Sequence, residues 1–486
     1  MELLTAPEFL TAYLALIIIL SEFFLKKNHQ NIIPAITISG ALLILTLSFA
    51  FPLLGDTSLF TSLFNNFDTS LGKFITYSSD HLSLFGSRLL LVCLILCTLM
   101  SWDYVQKKTK NICEFYALLT FATCGLMFMV SAQELMTFFV SLETASMCLY
   151  ALSAYFKDND YSLEAGMKYF LMGASFSALM LYGIVLVYGA CGTTSYTQIA
   201  KVCLLGNQNV ALLYVGVILI CIGFAFKLSL APFHMWAPDV LQGAPTPISA
   251  YLSVASKAAG FMVLIRLTSI AFVSMSMVWV KFFLICAVLS MILGNLIAVR
   301  QKNMKRLMAY SSIGQVSYLI MGIIAANNFG ISALLYFLVS YVFTNLAIFM
   351  VIANISKHDG DDMSDFYGLS KRAPFVAMVA TLGILSLCGI PPMSGFFAKF
   401  YIFAAAIKAK YFTLVFFALI ATTVSLFYYL NVLRAMYIEK SENDDSPLVI
   451  SSSSQAGMWV CLIGMLYFGL FPQGLVTFCT EVASSL

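Results

Sequence analysis

Apolar runs long enough to cross a lipid bilayer follow one another along almost the whole chain, and this repetition constrains the fold more than any single motif. A crossing helix needs about 20 residues to cover ~30 Å of hydrocarbon. The sequence therefore predicts an all-α polytopic membrane protein of about fourteen spans, at 8–25, 33–53, 82–101, 112–131, 134–155, 165–190, 209–241, 247–271, 279–299, 306–325, 330–354, 374–407, 411–436 and 456–478. Only 10% of the residues are charged, against about 25% in a soluble domain. The connecting stretches 54–81, 356–373 and 439–455 are too short for a separate soluble domain.

The first run is preceded by Glu2 and Glu8 with no basic segment, so it reads as a span rather than a cleaved leader. The 12 cysteines lie mostly inside apolar runs, and the closest pair, Cys93 and Cys97, is not a CxxC; they read as small buried hydrophobes. No metal or cofactor is expected in this chain. GxGxxG, Walker and HExxH patterns are absent from the sequence, and a net charge of +3 gives no reason to expect a nucleic-acid partner.

Basic residues set the orientation. Of the 26 Lys and Arg, sixteen fall in connections after odd-numbered spans, among them Lys26, Lys27, Lys168, Lys305, Arg306 and Lys357; seven fall after even-numbered spans, including Lys73 and Arg266. The positive-inside rule places the odd connections in the cytoplasm and both termini on the opposite side. Three basic residues remain, Lys227, Lys257 and Lys399, each inside an apolar segment. An ammonium at a helix centre costs about 2.5–3.5 kcal/mol on insertion scales, so such residues mark function. The carboxylate most deeply placed within a span is Glu143, while Glu22, Glu114 and Glu134 sit near span ends, where capping or interfacial roles are expected.

Segments 209–241 and 374–407 are too long for straight crossings, since over 30 residues at 1.5 Å each would make ~50 Å. They must break, the first near Pro232 and the second at Gly389, Ile390, Pro391 and Pro392. Broken backbone at membrane depth is tolerated only within protein or beside a wet cavity, and such breaks mark ion sites in transporters. The two broken segments are five spans apart, which fits two inverted five-helix units, spans 4–8 and 9–13. The expected divisions are 1–111, 112–272, 273–437 and 438–486.

Burial disfavours the ammonium form of a lysine and a nearby carboxylate restores it, so Glu143 facing Lys227 would make a switchable proton site. A structural ion pair would explain Glu143 and one lysine, leaving two without partners. Lysines repel a metal cation, so proton transfer suits this set better than metal-ion transport. His234, beside the first break, is a further proton-path candidate. Asp239 reads as a turn or cap residue, and Arg434 as an interfacial anchor. Tyr310, Ser311, Ser312 and Gln315 give the tenth span a polar surface.

The run KLSLAPFHMWAPDVLQGAPTPISAYLSVASKAAGF at 227–261 resembles the signature of the subunit N family of proton-translocating NADH:quinone oxidoreductase, respiratory complex I. LEAGMKYFLMGASFSALMLYG, NMKRLMAYSSIGQVSYL and GIPPMSGFFAKFYIF support it. The resemblance implies an antiporter-like subunit with fourteen spans, two inverted repeats and broken helices seven and twelve. It also implies proton translocation driven by quinone reduction in other subunits, in an inner (cell) membrane of a bacterium, beside neighbouring antiporter-like subunits. By motif position the family's essential glutamate falls on Glu143, its pairing lysine on Lys227, its central lysine on Lys257 and its exit-side lysine on Lys399. Gln315 stands where the family motif commonly has histidine. The alternatives on the same fold are an Mrp-type cation/proton antiporter, a hydrogenase-associated membrane subunit, and a non-translocating scaffold.

Overall fold

A computed structural model describes residues 6–24, 31–50, 76–206, 209–356, 361–440, 448 and 450–486. Lys26, Lys27, Lys73 and Lys357, with residues 54–75, 441–447 and 449 of the connections, lie outside the described residues. The helices are α1 (Pro7–Phe24), α2 (Ile33–Ala50), α3 (His81–Lys108), α4 (Ile112–Ser131), α5 (Leu135–Ser153) and α6 (Asp160–Cys191). There follow α7 (Tyr196–Leu205), α8 (Val210–Lys227), α9 (Trp236–Gly243), α10 (Thr246–Arg266), α11 (Ser276–Ala298), α12 (Met304–Ile324) and α13 (Asn328–Ile355). The last are α14 (Pro374–Cys388), α15 (Ser394–Lys408), α16 (Phe412–Tyr437), α17 (Ser452–Leu470) and α18 (Pro472–Ser484). Among the described residues 12 helices are long and apolar enough to cross a membrane.

In hydrocarbon every backbone polar group must be satisfied within the protein, and the sequence places side chains to do this at helix starts. Asp80 caps α3 through the Ser83 N–H, Asn159 caps α6 through the Tyr161 and Ser162 N–H groups, and Asn303 caps α12 through the Arg306 N–H. Apolarity does not decide depth, since lipid accepts an apolar surface as readily as protein does: the peripheral α6 is more apolar than the buried α10 and α12. Every residue of α10 is buried, and the most apolar windows of α12 and α13 are each 94% buried, against 28% for α6. The axis of the molecule is therefore α10, α12 and α13, with α6 on the periphery.

Helices pack closely where residues are small. A side chain added at Gly173 would run into the Tyr150 ring, and one at Gly216 would press on the Gly183 carbonyl of α6.

Both long segments break as expected, the first into α8 and α9 and the second into α14 and α15. Two features depart from the sequence expectation. The ten-residue helix α7 lies between the sixth and seventh spans, too short and too mixed in polarity to register as a run. The final run is one span, α17, with a short helix after it: the run divides at Phe471 and Pro472, because Pro472 cannot donate to the preceding turn and instead starts α18.

Candidate functional site

The first break opens before its proline. α8 ends at Lys227, Ser229 takes a positive φ of 61°, the Ala231–Pro232 bond is cis, and helix resumes at Trp236. The polar groups this frees are taken up by neighbours. The Trp236 indole N–H donates to the Phe226 carbonyl at 2.9 Å, and the Ala231 N–H donates to Ser290 Oγ at 2.8 Å. Lys227, 6% exposed, is the last helical residue before the break. Its Nζ donates to Ser146 Oγ on α5 at 2.9 Å and to the Tyr169 hydroxyl on α6 at 3.5 Å.

Glu143 lies one turn from Ser146 on α5. It is half-buried and accepts from Ser177 Oγ at 2.5 Å. Among the described residues Glu143 and Lys227 form no direct ion pair; each is held by a different serine, Lys227 by Ser146 and Glu143 by Ser177.

Lys257, 1% exposed on α10, donates to Ser312 Oγ of α12 at 2.8 Å. Next to Ser312, Ser311 shares a short hydrogen bond with the Tyr429 hydroxyl of α16. One turn further along α12, Gln315 Nε2 donates to the Tyr429 hydroxyl and to the Leu387 carbonyl, both at 3.3 Å. The Leu387 carbonyl also accepts from Lys399 Nζ at 2.7 Å, and Cys388 O accepts from it at 3.2 Å. Lys399 thus fills the open carbonyls at the end of α14, where Gly389 turns the chain with φ 83°. A void of about 10 Å³ lies between Lys399, Gln315, Ser340, Thr344 and Ser386, roughly the space one water requires.

The remaining expected residues scatter around this row. His234 is 4% exposed beside the first break, with Nδ1 lacking a hydrogen-bond partner. Tyr310 is buried on α12, and Arg434 pairs at the surface with Glu439 at 3.0 Å. Glu134 precedes α5 and takes hydroxyls from Thr137 and Thr194. Asp239 is not the cap residue expected: it sits in the first turn of α9 and binds Lys168 at 2.9 Å and Arg306 at 2.8 Å.

Two cations assigned by sequence to loops and flanks are buried. Arg266 is clamped by both oxygens of Asp80, at 2.6 and 2.8 Å, and Lys305 pairs with Asp361 at 2.8 Å beside a cavity of about 230 Å³. A carboxylate near each in space distinguishes them from the three lysines of the row, but Asp80 and Arg266 are far apart in sequence, so nothing local revealed the pairing. Among the described residues no group of three or more His, Cys, Asp or Glu is placed to hold a metal.

Together, broken crossing helices and a row of buried lysines bonded to hydroxyls and carbonyls define a polytopic membrane protein of the ion-translocating kind. Residues 132–425 match the family described as NADH:quinone oxidoreductase/Mrp antiporter, TM. NADH-quinone oxidoreductase subunit N of Moorella thermoacetica is 41% identical over 408 residues, 84% of this chain and 86% of the relative. Subunit N of Rhodospirillum rubrum is 35% identical over 99% of this chain and 96% of its own length. A chain of respiratory complex I from Thermus thermophilus superposes with a TM-score of 0.78 at 28% identity, over 97% of this chain and 98% of the other. A chain of the Mrp complex from Dietzia sp. shares the fold, with a TM-score of 0.84 at 18% identity over 100% and 98% of the two chains. The chain belongs to the NADH:quinone oxidoreductase/Mrp antiporter membrane family, in its NADH-quinone oxidoreductase subunit N branch.

Proposed function

We propose that this chain is a proton-translocating membrane subunit of a NADH:quinone oxidoreductase, moving protons through Glu143, Lys227, Lys257 and Lys399 under a driving force generated in other subunits. One observation carries the reading. Lys227 and Lys257 are held by serine hydroxyls and Lys399 by backbone carbonyls, and none of the three is in a carboxylate ion pair among the described residues. A hydroxyl accepts from an ammonium and can turn to donate to a neutral amine, so a proton can leave without stranding a buried counter-charge. Were the lysines structural cement, each would need a fixed carboxylate of the kind Arg266 and Lys305 have.

Transfer between Lys257 and Lys399 runs along Ser312, Ser311, Tyr429 and a water in the small void. Gln315 cannot carry a proton; its amide N–H groups donate to the Tyr429 hydroxyl and the Leu387 carbonyl and fix both beside Lys399. His234 joins the path on the strength of its buried, unpaired Nδ1. The reading also assigns other complex I membrane subunits as partners, two inverted five-helix units (spans 4–8 and 9–13) and a bacterial inner membrane, with both termini outside the cytoplasm. The chain would thus serve an enzyme complex without a redox centre of its own. Lys227→Ala in the intact complex tests this: assembly on a native gel should persist while proton pumping falls, and normal assembly with unimpaired pumping would overturn it.

A further inference from the structure

Glu8 is a buried carboxyl that the lysine row does not use. It is 1% exposed near the start of α1, and among the described residues no cationic side chain pairs with it. Its partners are three hydroxyls. Ser131 Oγ of α4 donates to Oε1 at 2.6 Å, Ser87 Oγ of α3 donates to Oε1 at 3.0 Å, and the Tyr77 hydroxyl donates to Oε2 at 2.7 Å.

This set differs in kind from the ion pair one step away. Arg266 is committed to Asp80 by two hydrogen bonds and to the Val130 carbonyl by a third, so its charge is spent. A guanidinium or ammonium can only donate and would fix the carboxylate in its ionised form. Hydroxyls donate to a carboxylate and can rotate to accept from a carboxylic acid, so both protonation states of Glu8 can be fully hydrogen-bonded. Tyr77 is only half-buried and gives the site a one-hydroxyl link to the molecular edge.

Among the described residues the titratable groups facing Glu8 are few. They are the Tyr77 phenol and the Cys124 thiol of α4, whose Sγ contacts the Glu8 carbonyl at 3.6 Å, with the Asp80–Arg266 pair beyond. The neighbouring α2 has no titratable side chain, and Arg88 of α3 turns away to the Ser48 carbonyl. We infer that Glu8, with Tyr77, Ser87 and Ser131, forms a second proton-binding site, outside the lysine row and close to the face that carries the start of α3.

Infrared difference spectra of the intact complex between acidic and alkaline pH test this without depending on the lysine row. The expected result is a protonated-carboxyl band that grows on acidification and is lost in Glu8→Gln. Its midpoint should shift upward in Tyr77→Phe, which removes a donor to the ionised form. A band unchanged in Glu8→Gln would overturn the site. So would a band that responds to sodium at constant pH instead of to pH, which would make this a cation site. Should Glu8→Gln fail to assemble, Tyr77→Phe and Ser131→Ala still decide: a pH-dependent band that neither variant moves contradicts the assignment.

Discussion

Lys399 Nζ lies 2.7 Å from the carbonyl oxygen of Leu387, on the far side of the break that separates α14 from α15. A side chain in the second turn of the second half-helix thereby completes the last turn of the first. The same lysine serves the backbone and the proposed proton row, and the consequences can be separated by mutation.

Gly389→Ala tests the geometry without touching the ammonium. Gly389 has φ 83°, and an added Cβ would stand 3.0 Å from Lys399 Cδ. The positive φ alone disfavours alanine by about 1 kcal/mol, and the lysine must also shift from its carbonyls. We expect lower thermal stability of the complex and reduced pumping together, read by a melting curve and by proton uptake into vesicles. A variant with wild-type pumping would show that the seat of Lys399 is not critical.

The Asp80–Arg266 clamp should matter for stability and in a pH-dependent way. Burial works to raise the Asp80 carboxyl, but hydrogen bonds and charge from Arg266, with further bonds from Ser83, outweigh it and hold the carboxyl below its ordinary range. A depressed carboxyl contributes its stabilisation above the unfolded value of about 4 and loses it as pH falls through the folded value. Melting temperature should therefore drop on acidification below about pH 4 by more in the wild type than in Asp80→Asn. At neutral pH Asp80→Asn strands a buried guanidinium, a loss of about 3–5 kcal/mol.

Lys305 and Asp361 make a double-mutant cycle. Their side chains are 8% and 6% exposed at 2.8 Å separation. Removing either alone leaves an uncompensated buried charge and should cost about 3–5 kcal/mol, whereas Lys305→Met with Asp361→Leu should recover most of it. Additive losses on chemical denaturation would mean that the two charges are independently solvated, through the adjoining cavity.

Asp239 gives a contrasting case. Its partners Lys168 and Arg306 are 41% and 32% exposed, so solvent and salt screen the cluster. Asp239→Asn should cost less than about 1 kcal/mol and its effect should shrink at high salt.

The architecture was legible because the bilayer imposes a length and a polarity on each span. Lys227, Lys257 and Lys399 stood out for the same reason: nothing local explains a cation there. Arg266, Lys305 and Glu8 were hidden, since each sits near a span end where a charge is ordinary. Their burial comes from tertiary partners distant in sequence, such as Asp80 for Arg266 and Ser131 for Glu8. Sequence could suggest a Glu143–Lys227 pairing, but not that Lys227 would be held by Ser146 and Glu143 by Ser177 with no direct ion pair among the described residues. The helix α7 was missed because ten residues carry too weak a periodicity.

Lys257 is the most direct test of the proton row, because it is 1% exposed and bonded to a single hydroxyl. The decisive measurement is the number of protons translocated per electron by the intact complex carrying Lys257→Met, reconstituted in proteoliposomes. The row predicts a ratio below wild type with the complex fully assembled. A wild-type ratio in that assembled variant would contradict it.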